Sequence, residues 1–179
     1  MALTRQSLSA VALTALFIMG GLVSIGPAVA GNDTVGTTSG LPVPRFVTLK
    51  SDRVNVRGGP NRDQDVRWVY TRAGMPVEIT AEFENWRRVR DWEGAEGWVY
   101  HSLLSGRRSV VVNVRKKDDL VPVFDSPDVK AGVVANLENG VLATLKSCNG
   151  TWCRVSGKSY DGWIRQEGLW GAYPNEKLD

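Results

Sequence analysis

His101 is the single histidine of the chain and follows Trp98-Val99-Tyr100. A serine or cysteine nucleophile needs a base within hydrogen-bond reach, and histidine is the usual one. His101 has Gln166 as its counterpart in a later stretch of similar sequence, so it reads as a surface residue at a strand end. Two cysteines and one histidine fall short of the four ligands of a structural zinc site, so no metal is expected. Glu93 and Glu96 lie in a turn and read as solvated charges. Gly58-Gly59 lacks the lysine and following helix of a phosphate loop. No catalytic constellation emerges, and the expectation is a non-enzyme without a cofactor.

Cys148 and Cys153 flank Asn149-Gly150-Thr151-Trp152, on either side of a hairpin turn. In an oxidising compartment such a pair is expected to form a disulfide. Their counterparts earlier in the chain are Glu82 and Arg87, opposite charges that can pair across the same kind of hairpin. Hydrophobic alternation pairs Leu145 with Val155, one residue out of register with a Cys148–Cys153 pair, and a bulge would reconcile the two.

Aromatic residues are the stronger functional clue. Seven tryptophans exceed what a small core can hide. Trp86 and Trp98 recur as Trp152 and Trp163, which suggests a role in the fold, whereas Trp68, Tyr70 and Trp92 have no aromatic counterpart. Trp92 sits in Arg90-Asp91-Trp92-Glu93-Gly94, a turn apex expected to be exposed, with Arg57, Arg67, Arg87, Arg88 and Arg90 nearby in sequence. An aromatic groove rimmed by arginine suits an extended peptide carrying carboxylates. The alternative is that Trp68 and Tyr70 pack against the second half of the chain. Both readings stay open.

The elements that must position these residues come from a repeat. Asn85-Trp86-Arg87-Arg88-Val89 matches Thr151-Trp152-Cys153-Arg154-Val155, Gly97-Trp98-Val99 matches Gly162-Trp163-Ile164, and Leu104-Ser105-Gly106 matches Leu169-Trp170-Gly171. The nearly constant offset implies two modules, 46–106 and 111–171. Alternating runs such as Val77, Ile79, Ala81, Phe83 and Val141, Ala143, Leu145 predict short strands, and Ala73-Gly74, Asn139-Gly140 and Asn149-Gly150 predict turns. The fold class expected is all-β, two tandem small barrels that either support each other through an interface or are individually marginal.

Val54-Asn55-Val56-Arg57-Gly58-Gly59-Pro60 resembles the opening signature of bacterial Src-homology-3-like (SH3-like) domains, and Gly74, Trp86, Val89 and Gly97-Trp98-Val99 fall where that family's pattern puts them. Gly58 and Gly59 allow positive φ in a tight loop, and Gly97 permits close strand approach. The second module departs from the pattern, with Pro122, Phe124 and Asp125 where Asn, Arg and Gly would stand. The resemblance implies binding of cell-wall peptides or partner proteins. Together with the aromatic residues it makes Asn55, Arg57, Trp68, Tyr70 and Trp92 the candidate ligand residues.

At the N-terminus Arg5 precedes an apolar run from Val11 to Ile25, and Ala28-Val29-Ala30 follows. This is the pattern of a cleaved secretory signal over residues 1–30, cut between Ala30 and Gly31, and it implies a periplasmic or secreted protein. Residues 31–45, rich in Gly, Thr and Pro, read as a flexible leader, residues 107–110 as a short stiff connection, and 172–179 as a tail. The 22 basic residues, one of them in the signal, nearly balance the 19 acidic ones, so nucleic acid is not expected as a partner. No later stretch is apolar enough to span a membrane.

Overall fold

The computed structural model describes residues 34–113 and 120–179; the predicted signal peptide and the Ala30–Gly31 cleavage point lie outside the described residues. A hairpin of β1 (Thr34–Val35) and β2 (Pro42–Val43) leads into the first module. That module contains β3 (Arg45–Leu49), β4 (Val54–Arg57), β5 (Val66–Tyr70), β6 (Pro76–Phe83), β7 (Trp86–Arg90), β8 (Glu96–Tyr100), one 3₁₀ turn and β9 (Leu104–Ser105). The second contains β10 (Ser109–Val112), β11 (Val121–Phe124), β12 (Val133–Leu137), β13 (Leu142–Asn149), β14 (Trp152–Ser156), β15 (Asp161–Arg165), a matching 3₁₀ turn and β16 (Leu169–Trp170). β17 (Lys177–Leu178) ends the chain.

Both modules are antiparallel sheets with the same strand order. The first runs β5-β4-β8-β7-β6-β3-β9 and the second β12-β11-β15-β14-β13-β10-β16, with β17 added beside β13. Period-two alternation puts every second side chain on one face. Leu49, Val54, Val56, Val77, Ile79, Val89 and Val99 form the first core. Val110, Val112, Val123, Leu145, Cys153, Val155 and Ile164 form the second. Each buried Val, Leu or Ile contributes about 1.5–3 kcal/mol relative to exposure. The fold is all-β in both halves, as expected, but each sheet runs as an open order of strands and does not close into a barrel.

The expected bulge is present. β13 and β14 pair Leu145 with Val155 and Cys148 with Cys153, with the register shifting between Leu145 and Ser147. The cysteines form a disulfide with Cα atoms 4.1 Å apart. β6 and β7 shift register between Ile79 and Ala81 and bring Glu82 opposite Arg87, where Arg87 Nε lies 3.2 Å from Glu82 Oε1.

Glycine serves close approach in both modules. A Cβ on Gly97 would overlap Val56 and stand 3.1 Å from Arg57 O, and one on Gly162 would stand 2.5 Å from Phe124 O. Gly58 and Gly59 do not use the positive φ that glycine allows. Side chains cover them instead: a Cβ would come within 3.0 Å of Arg67 Nε at Gly58 and 2.9 Å of the Gln64 side chain at Gly59.

Residues 34–45, the described part of the expected flexible leader, are structured: β1 and β2 pair and the turn between them docks on Glu82. The amides of Thr38 and Ser39 donate to Glu82 Oε2 at 3.1 and 2.9 Å, and Ser39 Oγ donates to Oε1 at 2.6 Å. The C-terminal segment is tied down as well: β17 pairs with β13, and Arg108 holds Glu176 at 2.8 Å.

Between the modules, Ser109 Oγ donates to Gly74 O at 2.7 Å and lies 2.9 Å from Thr48 Oγ1. On the other side of the junction Phe46 meets the rings of Trp170 and Tyr173 at centroid distances of 5.1 and 4.6 Å. Tyr173 Oη donates to Glu78 at 2.9 Å. Burial, and secondarily Glu78, push the Tyr173 phenol well above its usual value.

Candidate ligand-binding site

Along β4, Val54 and Val56 are buried, Asn55 is exposed and Arg57 is half-buried. Asn55 and Arg57 thus face away from the core. The same outer face crosses β8 and β7, because the register sets Arg57 against Trp98 and Trp86 against Tyr100. Asn55, Arg57, Arg62, Trp86, Tyr100 and Leu103 line an open groove of about 430 Å³.

Its walls are held by local contacts. Trp86 lies edge-on to Tyr100 at 5.4 Å and 82°. The Arg62 guanidinium lies over the Tyr100 ring at 5.8 Å, within cation–π range. Arg57 Nη1 donates to Gln64 O at 2.6 Å, which fixes the guanidinium at the groove edge. Two guanidiniums can grip carboxylates, a side-chain amide can read a peptide group, and two rings supply apolar contact.

Asn55 and Arg57 therefore come together, while Trp68, Tyr70 and Trp92 lie elsewhere. Register pairs Trp68 with Val56 and Tyr70 with Val54, which turns both rings to the core face. Tyr70 is buried and donates to Asp91 Oδ2 at 2.9 Å. Its burial, then the Asp91 charge, raise the phenol well above its usual value. Trp68 stands edge-on to Tyr70 at 6.1 Å and packs on that core.

Trp92 is half-buried, not exposed, and its Cη2 lies 3.5 Å from where a Cβ on Gly140 of the second module would stand. Asp91 shapes its loop by accepting the amides of Glu93 and Ala95 at 3.1 and 2.9 Å.

Sequence reasoning missed Arg62, Trp86 and Tyr100 as groove residues. The recurrence of Trp86 pointed only to the fold. The alternation along β8, which sets Tyr100 on the face opposite buried Val99, is the signal that could have found Tyr100.

The second module carries different chemistry at the same places. Phe124 pairs with Trp163 as Arg57 pairs with Trp98. Phe124 is buried and meets Trp152 edge-on at 5.5 Å. Arg165 pairs with Trp152 as Tyr100 does with Trp86, and its guanidinium lies 4.8 Å over the Trp152 ring. Cation and aromatic ring satisfy each other there. Among the described residues no cluster of His, Cys, Asp or Glu could hold a metal ion, and no helix is long and apolar enough to cross a membrane.

Two of the solved structures similar to the chain come from one organism. One is NlpC2 from Trichomonas vaginalis, 14% identical over 71% of this chain and 48% of that one, with a TM-score of 0.32. The other is NlpC1 from the same organism, 15% identical over 75% of this chain and 48% of that one, also with a TM-score of 0.32. The chain thus spans about half the length of either. No curated protein matches it. The pattern of the bacterial SH3 domain matches residues 50–106 and again residues 117–171, more than half of the chain. With the same strand order in both halves, the chain belongs to the bacterial SH3 domain family and carries two copies of the domain.

Proposed function

We propose that this is an exported, non-catalytic binding protein of the cell envelope, whose first module takes a peptidoglycan stem peptide or a similar extended peptide bearing carboxylates. Membership in a family of binding modules associated with cell-wall components supports the class of function. The signal-like N-terminus and the disulfide support an oxidising compartment outside the cytoplasm. One observation carries the assignment to the first module. Its groove presents Arg57 and Arg62 beside Tyr100 and Trp86, whereas Phe124 fills the equivalent of the Arg57 position in the second module.

Retention on purified sacculi tests this. Wild type should be retained, and Arg57→Ala and Tyr100→Ala should each weaken retention about tenfold, as expected for an interface anchor. Arg57→Phe, which copies the second module, should do the same without unfolding the protein. Retention unchanged in all three would refute the groove. If sacculi do not retain wild type but an envelope protein does, the chain is an interaction scaffold without wall binding.

A further inference from the structure

A second cleft lies where the modules meet, on a different surface from the first-module groove. It encloses about 790 Å³ between the ends of β3 and β9, the start of β10, and the β14–β15 turn. The charged residues that line it are Lys50, Arg107, Arg108 and Lys158, with no carboxylate among them. A chain whose 22 basic residues nearly balance 19 acidic ones would be expected to mix the signs.

Arg108 is committed elsewhere: it pairs with Glu176 at 2.8 Å and donates to Gly171 O at 2.7 Å. Lys50, Arg107 and Lys158 are exposed, and none makes an ion pair among the described residues. Thr144 and Ser156 face each other across β13 and β14 in the same wall and add hydroxyl groups.

From these features we infer that the cleft is an anion site for a phosphate group of charge greater than one, presented by a lipid headgroup or a soluble phosphate. Three unpaired cations in one concavity raise the local potential and favour a multiply charged anion over a single carboxylate, which one guanidinium satisfies. Lysine ammonium groups and hydroxyls suit the several oxygens of a phosphate. The lining contains no aromatic ring, unlike the first-module groove, so it offers no platform for a base or a sugar face. This inference does not rest on the peptide site.

Calorimetric titration of the purified protein with pyrophosphate, triglutamate peptide, and phosphatidic acid or phosphatidylcholine vesicles tests it. Pyrophosphate should bind, more weakly as salt rises. Lys50→Ala and Lys158→Ala should each cost about fivefold, and the pair more, since each removes one unit charge near the anion. Arg154→Ala, which removes an exposed cation paired with Asp161 at 2.7 Å, should leave binding unchanged. Binding to phosphatidic acid but not phosphatidylcholine vesicles, competed by pyrophosphate, identifies a phosphomonoester headgroup; pyrophosphate binding alone identifies a soluble phosphate. The site is overturned if neither pyrophosphate nor anionic vesicles bind, if the double variant binds as well as wild type, or if triglutamate binds as tightly as pyrophosphate.

Discussion

In the first module the β6–β7 hairpin is tied across its end by Glu82 and Arg87; in the second, the β13–β14 hairpin is tied at the equivalent step by the Cys148–Cys153 disulfide. The two ties demand different surroundings. The Glu82 carboxylate is fully shielded from solvent, and a buried charge costs several kcal/mol unless its lone pairs are satisfied. The N-terminal hairpin supplies three of the donors and Arg45 another. The disulfide carries no charge, and its neighbour is the C-terminal strand, with Leu178 opposite Cys148. Each end of the described chain therefore docks on the same hairpin of its own module. The repeated backbone keeps its geometry while the chemistry of the tie is exchanged.

The largest expected effect comes from what the modules share. Gly162→Ala forces a Cβ to within 2.5 Å of Phe124 O, a backbone atom that cannot move without breaking the β11–β15 pairing. It should cost roughly 3 kcal/mol or more in chemical denaturation, and Gly97→Ala should behave alike. A loss below about 1 kcal/mol in either would show that the close approach is dispensable in that module.

The ties themselves separate the modules by pH. Burial would raise the Glu82 carboxyl, but the hydroxyl and amide of Ser39, Arg45 and the amide of Thr38 outweigh it and hold the group at about 2, against an ordinary 4.5. A depressed folded value gives stability that is complete above pH 4.5 and disappears as pH falls toward 2. At 1.36 kcal/mol per unit this amounts to at most about 3 kcal/mol. Glu82→Gln should lower stability at neutral pH and flatten the acid limb of a melting-temperature profile. An unaltered limb would mean that other carboxylates set it.

Replacing Cys148 and Cys153 by serine should cost about 2 kcal/mol, the modest loss expected of a short closed loop, and should leave the acid limb in place. Two free thiols in the unreduced, unfolded protein would show that the bond is absent in solution.

The smallest effect tests the turns beside the ties. Glu84 adopts φ 47° where Gly150 of the second module has φ 99°. Glu84→Gly relieves a left-handed residue but adds backbone entropy to the unfolded chain, so a gain of about 0.5 kcal/mol is expected. A loss in a denaturant midpoint would show that the Glu84 side chain contributes more than its strain costs.

Much of this was legible from local pattern. The constant offset located the repeat, and alternation on both sides of the cysteines showed that a bulge was needed before the structure showed one between Leu145 and Ser147. The same parallel placed Glu82 opposite Arg87. What escaped was set by distant contacts. The Gly- and Thr-rich leader looked flexible because its anchor, Glu82, lies 43 residues from Ser39. Trp68 and Tyr70 looked available because the face they occupy depends on their register with Val56 and Val54. Trp92 looked exposed at its turn because the surface beside it, at Gly140, belongs to the other module.

The Ser109 hydroxyl bonds have a mechanical consequence. Residues 106–108 alone separate β9 from β10, and Thr48, Gly74 and Ser109 clamp that step. Three residues leave little slack for one module to move against the other at this step. Thr48, Gly74 and Ser109 also line the cleft between the modules, so a ligand seated there would strain the same bonds that hold the step, and its grip and theirs would rise or fall together.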